Sequence, residues 1–445
     1  MKSKLAGKKI LLACVPMDGH FNPLTGLAKY LQEIGCDVRW YVSSIYADKL
    51  KKLDIPHYPY VKALDINGHN IHQLLPELKT TASMLEKSMI YQKNLFAGRA
   101  AEYYKDILDI HASFPFELMI ADNMYSAIPF VRHKIQIPVV AIGVIPLPEK
   151  SVDTAPYRTG LPPAENDSMR ADYAYQYQEI TKVFAAHTSV YTDILQQYDI
   201  PFKAELLPDM LLRSADLYLQ IGTPDFEYKR SDLGSNIRFV GALMPYAMAG
   251  SRAPWFDVRL NQYKKIVLVT QGTIEADVSK LLEPTLRAFE HTDVLVIATT
   301  GGNGTEQLRA RFTAKNLIIE DFIAFDHVMP YASVYVTNGG YSGVMLSISH
   351  QLPMVAAGQH ELKNEICARI GYFKYGINLK TESPSSEAIR EAASEIMDNP
   401  IYKTNVTRLC HQFEAYNAHE LCAGHITELI QKHADLHRRN EFKSL

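Results

Sequence analysis

His20 is the residue of this chain best placed to do chemistry. It lies in Met17-Asp18-Gly19-His20-Phe21-Asn22-Pro23, directly after the apolar run Ile10 to Val15. An apolar run, a glycine turn, then Pro23 and the periodic Leu24, Leu27, Ala28 and Leu31 predict strand, loop and helix, with His20 on the loop. Open parallel α/β sheets bind ligands at such strand ends. An imidazole there can act as a base and take a proton from a hydroxyl. It can equally be a structural histidine.

Asp122 is the second candidate. It ends the short apolar stretch Leu118-Met119-Ile120-Ala121. A parallel sheet brings that strand end close to the His20 loop. A buried carboxylate beside an imidazole fixes its tautomer and stabilises the imidazolium formed on proton abstraction. The plain alternative is that Asp122 caps the helix that follows.

The third feature could hold an anion. Residues 334–343 run Val-Tyr-Val-Thr-Asn338-Gly339-Gly340-Tyr341-Ser342-Gly343, a strand, a tight turn and a helix start. Glycines let backbone N–H groups approach a phosphate, and a helix N-terminus adds partial positive charge. Asn338 and Ser342 can add side-chain donors. A second turn, Thr270-Gln271-Gly272-Thr273, follows another apolar run, and two such turns at neighbouring strand ends suit a diphosphate. Neither is a Walker A loop, and no G-x-G-x-x-G follows Ile10–Val15.

The elements that must position these groups alternate. In the first half, strands are expected at Ile10–Val15, Val38–Val42, Leu118–Ile120 and Ile137–Val144, with a helix at Pro23–Ile34. Residues 70–112 and 150–215 read as long helices rich in Met, Tyr, Phe and Leu, including Tyr173, Tyr175 and Tyr177. Their aromatics are helix core or a wall for an apolar ligand. The second half repeats the pattern: strands at Lys265–Thr270, Val294–Thr299, Leu317–Glu320, Val334–Thr337 and Met354–Ala357, helices at Lys280–Glu290 and Ser342–Ser349. Strands separated by helices imply βαβ units and parallel sheets. The fold class is therefore α/β, with two facing Rossmann-like domains and a cleft between them.

Size and composition agree. A chain of 445 residues is long enough for two domains of about 200 residues each. Its net charge of −3 and lack of a basic run beyond His437-Arg438-Arg439 give no reason to expect a nucleic-acid partner. Five scattered cysteines without a C-x-x-C pair fit a reducing, cytoplasmic setting and argue against a zinc site. Lysines 2, 4, 8 and 9 before an apolar run mimic a signal peptide, but the run is short and a buried first strand is the better reading. No stretch reaches the roughly 18 apolar residues of a membrane span.

Taken together, these motifs resemble the GT-B-type glycosyltransferases that use nucleotide-diphosphate sugars, the family of macrolide and natural-product glycosyltransferases and of UDP-glucuronosyl and UDP-glycosyl transferases. The resemblance spans essentially the whole chain. It rests on G-H-x-x-P at Gly19–Pro23, Asp122, the Val240–Leu243 linker entry, the Gly272-Thr273 turn, and Thr337-Asn338-Gly339-Gly340 followed by Leu352-Pro353. It implies a first domain at 1–242 for the acceptor, a linker at 243–262, a nucleotide-sugar domain at 263–425, and a helical tail at 426–445 that can pack back on the first domain.

The resemblance also implies roles. His20 deprotonates an acceptor hydroxyl and Asp122 orients it. The oxygen then displaces the nucleotide diphosphate with inversion, with no metal and no cofactor beyond the sugar nucleotide, UDP- or dTDP-linked. On the donor side it points to Gly272, Thr273, Asn338, Gly339, Gly340, Tyr341, Ser342 and Gly343. Phe322 falls where a Trp usually stacks on the base, and Ile323 offers its backbone to the base edge. Glu361 and Lys363, with Leu362 if the register slips by one, and Gln359 fall near the sugar hydroxyls. Met17, Phe21, Met84, Met89 and Ile145 are candidates for an acceptor wall suited to a phenol, polyketide, terpenoid or sterol.

The chain departs from the family at three places: Asn338 replaces a His, Leu346 a ribose-binding Glu, and Phe325 a Gln. Monomer and dimer are both compatible. The alternatives are a non-catalytic partner of the same fold, a nucleotide-sugar epimerase, and a transferase acting on a membrane lipid.

Overall fold

The computed structural model describes residues 4–81, 83–246, 255–272, 275–360 and 362–443. Its first domain is a seven-stranded sheet: β1 (Lys9–Ala13), β2 (Asp37–Tyr41), β3 (His57–Tyr58), β4 (Leu118–Asp122), β5 (Val139–Gly143), β6 (Leu217–Gln220) and β7 (Ile237–Phe239). The second is a six-stranded sheet of β8 (Lys265–Thr270), β9 (Val294–Thr299), β10 (Leu317–Glu320), β11 (Val334–Thr337), β12 (Met354–Ala356) and β13 (Gly376–Asn378). Spatial orders are β3-β2-β1-β4-β5-β6-β7 and β10-β9-β8-β11-β12-β13, and each neighbouring pair is parallel. The order reverses between β1 and β4, and again between β8 and β11. Crevices for ligands open at those switch points, beyond the strands' C-terminal ends.

Both sheets are covered on two faces, so their central strands are buried along nearly their whole length. β4 and β5 are buried at all five positions each. That is why they read as continuous apolar runs rather than alternating ones. β3, β6, β7 and β13 were not foreseen. β3 has two residues and β13 three, too short for a periodic signal.

The first helix, α1 (Asp18–Glu33), starts before Pro23 rather than at it. A proline usually marks the first helical position, but here Pro23 lies inside the helix and Asp18 occupies the first turn, where a carboxylate suits the macrodipole. His20 therefore sits in a helical turn and not on a loop. Leu24, Leu27, Ala28 and Leu31 are fully buried, each of the leucines stabilising the domain by roughly 1.5–3 kcal/mol.

The apolar stretch 70–112 is not a pair of long helices. It breaks into Ile71–Leu74, Glu77–Thr80, α2 (Met84–Tyr91), a π-helical turn at Gln92–Ala97, and a helix at Ala100–Ser113. Within 150–215 lie the 31-residue α3 (Asp167–Gln197) and a helix at Leu207–Ser214. On α3, Tyr173 and Tyr177 are buried while Tyr175 is exposed, as a four-residue helical spacing dictates.

In the second domain, α4 (Tyr341–Ser349) follows β11 and α5 (Lys363–Tyr372) follows β12. The chain closes with α6 (Ala418–Lys443), a single helix that runs through position 426 without a break. It returns to α1, where His419 stacks on Tyr30 at 5.4 Å. Cys422 and Ile426 join the same apolar cluster as Leu24 and Leu27. Of the segment 243–262, residues 247–254 lie outside the described residues. The Tyr246 amide before them donates to Thr25 Oγ1 at 2.9 Å. No helix among the described residues is long and apolar enough to cross a membrane.

Candidate active site

The β1–β4 switch point holds His20 and Asp122. Register places Ala13 opposite Ala121, so the chain just past β1 passes beside the Asp122 carboxylate. Oδ2 accepts the Val15 N–H at 2.7 Å. Oδ1 accepts the Met124 N–H at 2.9 Å and faces His20 Nδ1 at 2.7 Å. Asp122 is 0% exposed and the His20 side chain 13%. A carboxylate can only accept, so the proton of the neutral imidazole lies on Nδ1 and the Nε2 lone pair is left for a ligand. Met124 also shows the capping reading to be partly true, since Asp122 does hold the backbone that follows it.

Phe96 lies beside this imidazole, its ring 6.4 Å from that of His20. The sequence reading missed it, because the π-helical turn that delivers it has no signal in residue spacing. The wall candidates divide. Met17 is half-buried against the apolar cluster that includes Leu11 and Tyr125. Met89 packs on the cluster of Tyr177, Phe184 and Leu206. Ile145 is half-buried, and its carbonyl accepts from Gln220 Nε2 at 2.9 Å. Phe21 is excluded from any acceptor surface. It is 1% exposed, stacks on Tyr46 at 4.1 Å and meets Trp40 at a tilt at 4.6 Å, because the helical turn that presents His20 outward directs its neighbour into the core. The Met84 side chain lies outside the described residues.

The β8–β11 switch point holds the two glycine turns. Gly272 and Gly339 have φ of +79° and +84°, the left-handed region that glycine adopts without strain. A Cβ on Gly339 would also meet Cys367 Sγ at 2.7 Å. Gly340 caps α4, and the first N–H groups of a helix need partners from outside it, an anion among them; exposed Ser342 lies beside them. Gly343 packs closely instead, its added Cβ coming to 2.9 Å from Tyr335 Oη. Thr273 and Glu361 lie outside the described residues.

Two expected donor contacts are spent elsewhere. Asn338 Nδ2 donates to the Gln271 carbonyl at 2.5 Å, tying one glycine turn to the other. Tyr341 turns its hydroxyl away from the turn and donates to the Ile221 carbonyl, just past β6, at 2.7 Å. It is a contact between domains, and it brings the C-terminal ends of the two sheets face to face.

Farther out, Phe322 is 61% exposed, and a Cβ on Gly302 would lie 3.7 Å from its ring. The Ile323 side chain is buried. Leu346 and Phe325 are half-buried and pack on the core. Phe325 meets Tyr335 edge-on. Gln359 and His360 are held by Glu382, whose Oε1 accepts both backbone N–H groups at 3.2 and 2.8 Å. Its Oε2 lies 2.7 Å from His360 Nε2. Lys280 bridges Glu275 at 2.6 Å and Glu382 at 3.7 Å. Burial raises the Glu275 carboxyl, but the hydrogen bond from Lys280, the Asp277 amide and the charges of Lys280 and Lys363 outweigh it, so Glu275 titrates below its ordinary range. Neither Glu382 nor Lys280 belongs to any motif, and the sequence reading passed over both. Among the described residues no group of three or more His, Cys, Asp or Glu is arranged to hold a metal ion.

Known proteins share this plan. The family described as UDP-glucoronosyl and UDP-glucosyl transferase matches residues 207–415. The chain is 30% identical over 413 residues to 4'-demethylrebeccamycin synthase of Lentzea aerocolonigenes, covering 93% of this chain and 97% of that one. It is 28% identical to UDP-glycosyltransferase 2 of Phaeomoniella chlamydospora, covering 96% and 97%. The solved glycotransferase of kitacinnamycin superposes with a TM-score of 0.75 over 95% of this chain and 99% of that one, at 15% identity, a likeness of fold.

Proposed function

The chain belongs to the family of UDP-glucuronosyl and UDP-glucosyl transferases, and from that premise we propose that it is an inverting transferase with His20 as base and Asp122 as the group that orients it. The observation that carries the reading is the 2.7 Å contact of Asp122 with His20 Nδ1, which leaves Nε2 to take the proton of an acceptor hydroxyl. The acceptor oxygen attacks the anomeric carbon as its proton passes to Nε2. The bond from that carbon to the diphosphate oxygen breaks, and the pair of electrons leaves with the nucleotide. The first N–H groups of α4 and the Gly272 turn face the place where that negative charge grows. Fixed donors of this kind stabilise a leaving group without a metal ion.

The donor is a nucleoside diphosphate sugar, UDP- or dTDP-linked. Its base rests on Phe322 and its sugar lies toward Gln359 and Lys363. The acceptor is a small lipophilic alcohol or phenol, held against Met17, Phe96 and Ile145. The relatives' names support sugar transfer, and the half-buried apolar groups near His20 support a lipophilic acceptor.

The test is transfer itself. The protein is mixed with UDP-glucose or dTDP-glucose and a panel of flavonoids, with a chelator present, and glycosides are sought by mass. Products should appear with the native protein, and those of acceptors whose hydroxyl stays protonated at the assay pH should fall to background with His20→Ala. Full activity of that variant toward those acceptors removes His20 as base, and loss of product on adding chelator alone removes the metal-free mechanism. If no sugar nucleotide shifts the melting temperature, the non-catalytic reading of the fold takes its place.

A further inference from the structure

Residues 154–161 belong to the first domain but dock on the second. The Gly160 N–H donates to Glu365 Oε1 at 2.9 Å, and Asn364 Nδ2 donates to the Arg158 carbonyl at 2.6 Å. Both partners lie in the first turn of α5, directly after Lys363. The fit is close: a Cβ on Gly160, whose φ is +63°, would come to 3.2 Å from the Asn364 carbonyl oxygen. Glu365 is fixed from behind by Arg369 at 3.0 Å. That guanidinium is 1% exposed and also pairs with Glu227 of the first domain at 2.8 Å.

Arg158 reaches the other way as well. Its φ is +82°, a conformation that strains a residue with a side chain and persists only where its surroundings hold it. The carbonyl is held by Asn364. The guanidinium donates to Ser88 Oγ at 2.5 Å and lies 5.9 Å from the Phe184 ring. Ser88 is on α2, next to Met89, and Phe184 is on α3. One residue in a strained conformation thus touches the helices beside the acceptor space with its side chain and the sugar end of the donor site with its backbone.

We propose that Arg158 couples the two substrate sites, so that the position of α2 sets how firmly the segment beginning at Lys363 holds the donor sugar. This inference rests on the donor and acceptor assignments above. It makes Arg158 and Asn364 positioning residues, acting through the backbone that carries the sugar contacts. An acceptor that seats α2 then tightens the donor, and the donor by linkage tightens the acceptor to the same degree.

Two readouts test it. Backbone hydrogen exchange of peptides covering residues 362–368 is measured without substrate in the native protein, Ser88→Ala, Ser88→Thr and Asn364→Ala. Exchange there should rise about 5-fold or more in Ser88→Ala and Asn364→Ala, and Ser88→Thr, which keeps the hydroxyl, should restore it. In steady-state assays, the donor KM should rise roughly 5- to 30-fold in the same two variants with kcat nearly unchanged. The double variant should be no worse than Asn364→Ala alone, because both break one path.

Unchanged exchange at 362–368 in Ser88→Ala overturns the coupling, as does a double variant whose KM effects multiply. The exchange arm needs no substrate. A protein that transmits the Ser88 change to residues 362–368 but transfers no sugar would refute the proposed function alone, and one that transfers sugar through His20 without that transmission would refute the coupling alone.

Discussion

His20 and Asp122 are joined by a single 2.7 Å contact, and Asp122 is itself bound to the backbone at Val15. The imidazole is therefore referenced to the end of β1 through a fully buried carboxylate. Asp122→Asn keeps the shape but can present its amide N–H to the imidazole, which favours the wrong tautomer. We expect kcat to fall by roughly 10²–10⁴-fold with little change in donor KM. His20→Ala should lose as much toward an aliphatic alcohol and far less toward a phenol acidic enough to be ionised at the assay pH, since that acceptor needs no base. A uniform loss across acceptors of different acidity would refute general-base catalysis.

Asn338 is a tie between turns before it is anything else. Its amide satisfies the Gln271 carbonyl, and an apolar replacement leaves that acceptor unpaired at a cost of about 1–3 kcal/mol. Asn338→Leu should lower the melting temperature and raise the donor KM together, because the Gly272 turn is released. Asn338→His, which can still donate, should keep activity. A rise in KM with an unchanged melting temperature would instead mean direct contact with phosphate.

Asp209 carries the clearest pH signature. It is almost wholly buried, accepts the Lys150 N–H at 2.7 Å and is hydrogen-bonded by Tyr177 Oη. Burial, partly offset by those two hydrogen bonds, pushes its carboxyl up from 3.8 to about 6. A carboxyl raised on folding binds its proton more tightly in the native state. Stability from this group is thus greatest below the unfolded value and is lost as pH rises from about 4 to about 6. Asp209→Asn removes this titration, so its stability relative to the native protein should improve by roughly 2–3 kcal/mol between pH 4 and pH 7. Melting curves of the two proteins should converge as pH falls toward 4. A gap that widens on acidification would contradict the assignment.

What could be read without the structure follows from how locally each feature is encoded. The strands that precede His20 and Asn338, and the one that ends in Asp122, have buried cores, so their apolar runs mark them, and a glycine turn marks the end of β11. Side chains whose partners come from another domain carry no such mark. Tyr341 looked like part of the phosphate turn and instead binds the Ile221 carbonyl. Arg369 reads as an ordinary helical arginine, yet it is buried between Glu227 and Glu365. Pro23 misled in a different way, because its usual place at a helix start outweighed the acidic Asp18 that begins the helix.

Leu346 bears on nucleotide choice. It lies in α4 beyond the phosphate turn, half-buried against the core, where many relatives by resemblance place a carboxylate on the ribose hydroxyls. A leucine offers no acceptor, so a ribose lying beside it would gain nothing from the 2′-hydroxyl, which UDP carries and dTDP lacks. The native protein should therefore use UDP-glucose and dTDP-glucose with similar kcat/KM. Leu346→Glu should raise the preference for UDP by about tenfold, the value of one hydrogen bond to a charged group. Leu346→Ala serves as the packing control, since it removes the same apolar contacts without adding an acceptor and should leave the ratio unchanged. If the glutamate and alanine variants share one UDP-to-dTDP ratio, the ribose does not lie beside position 346.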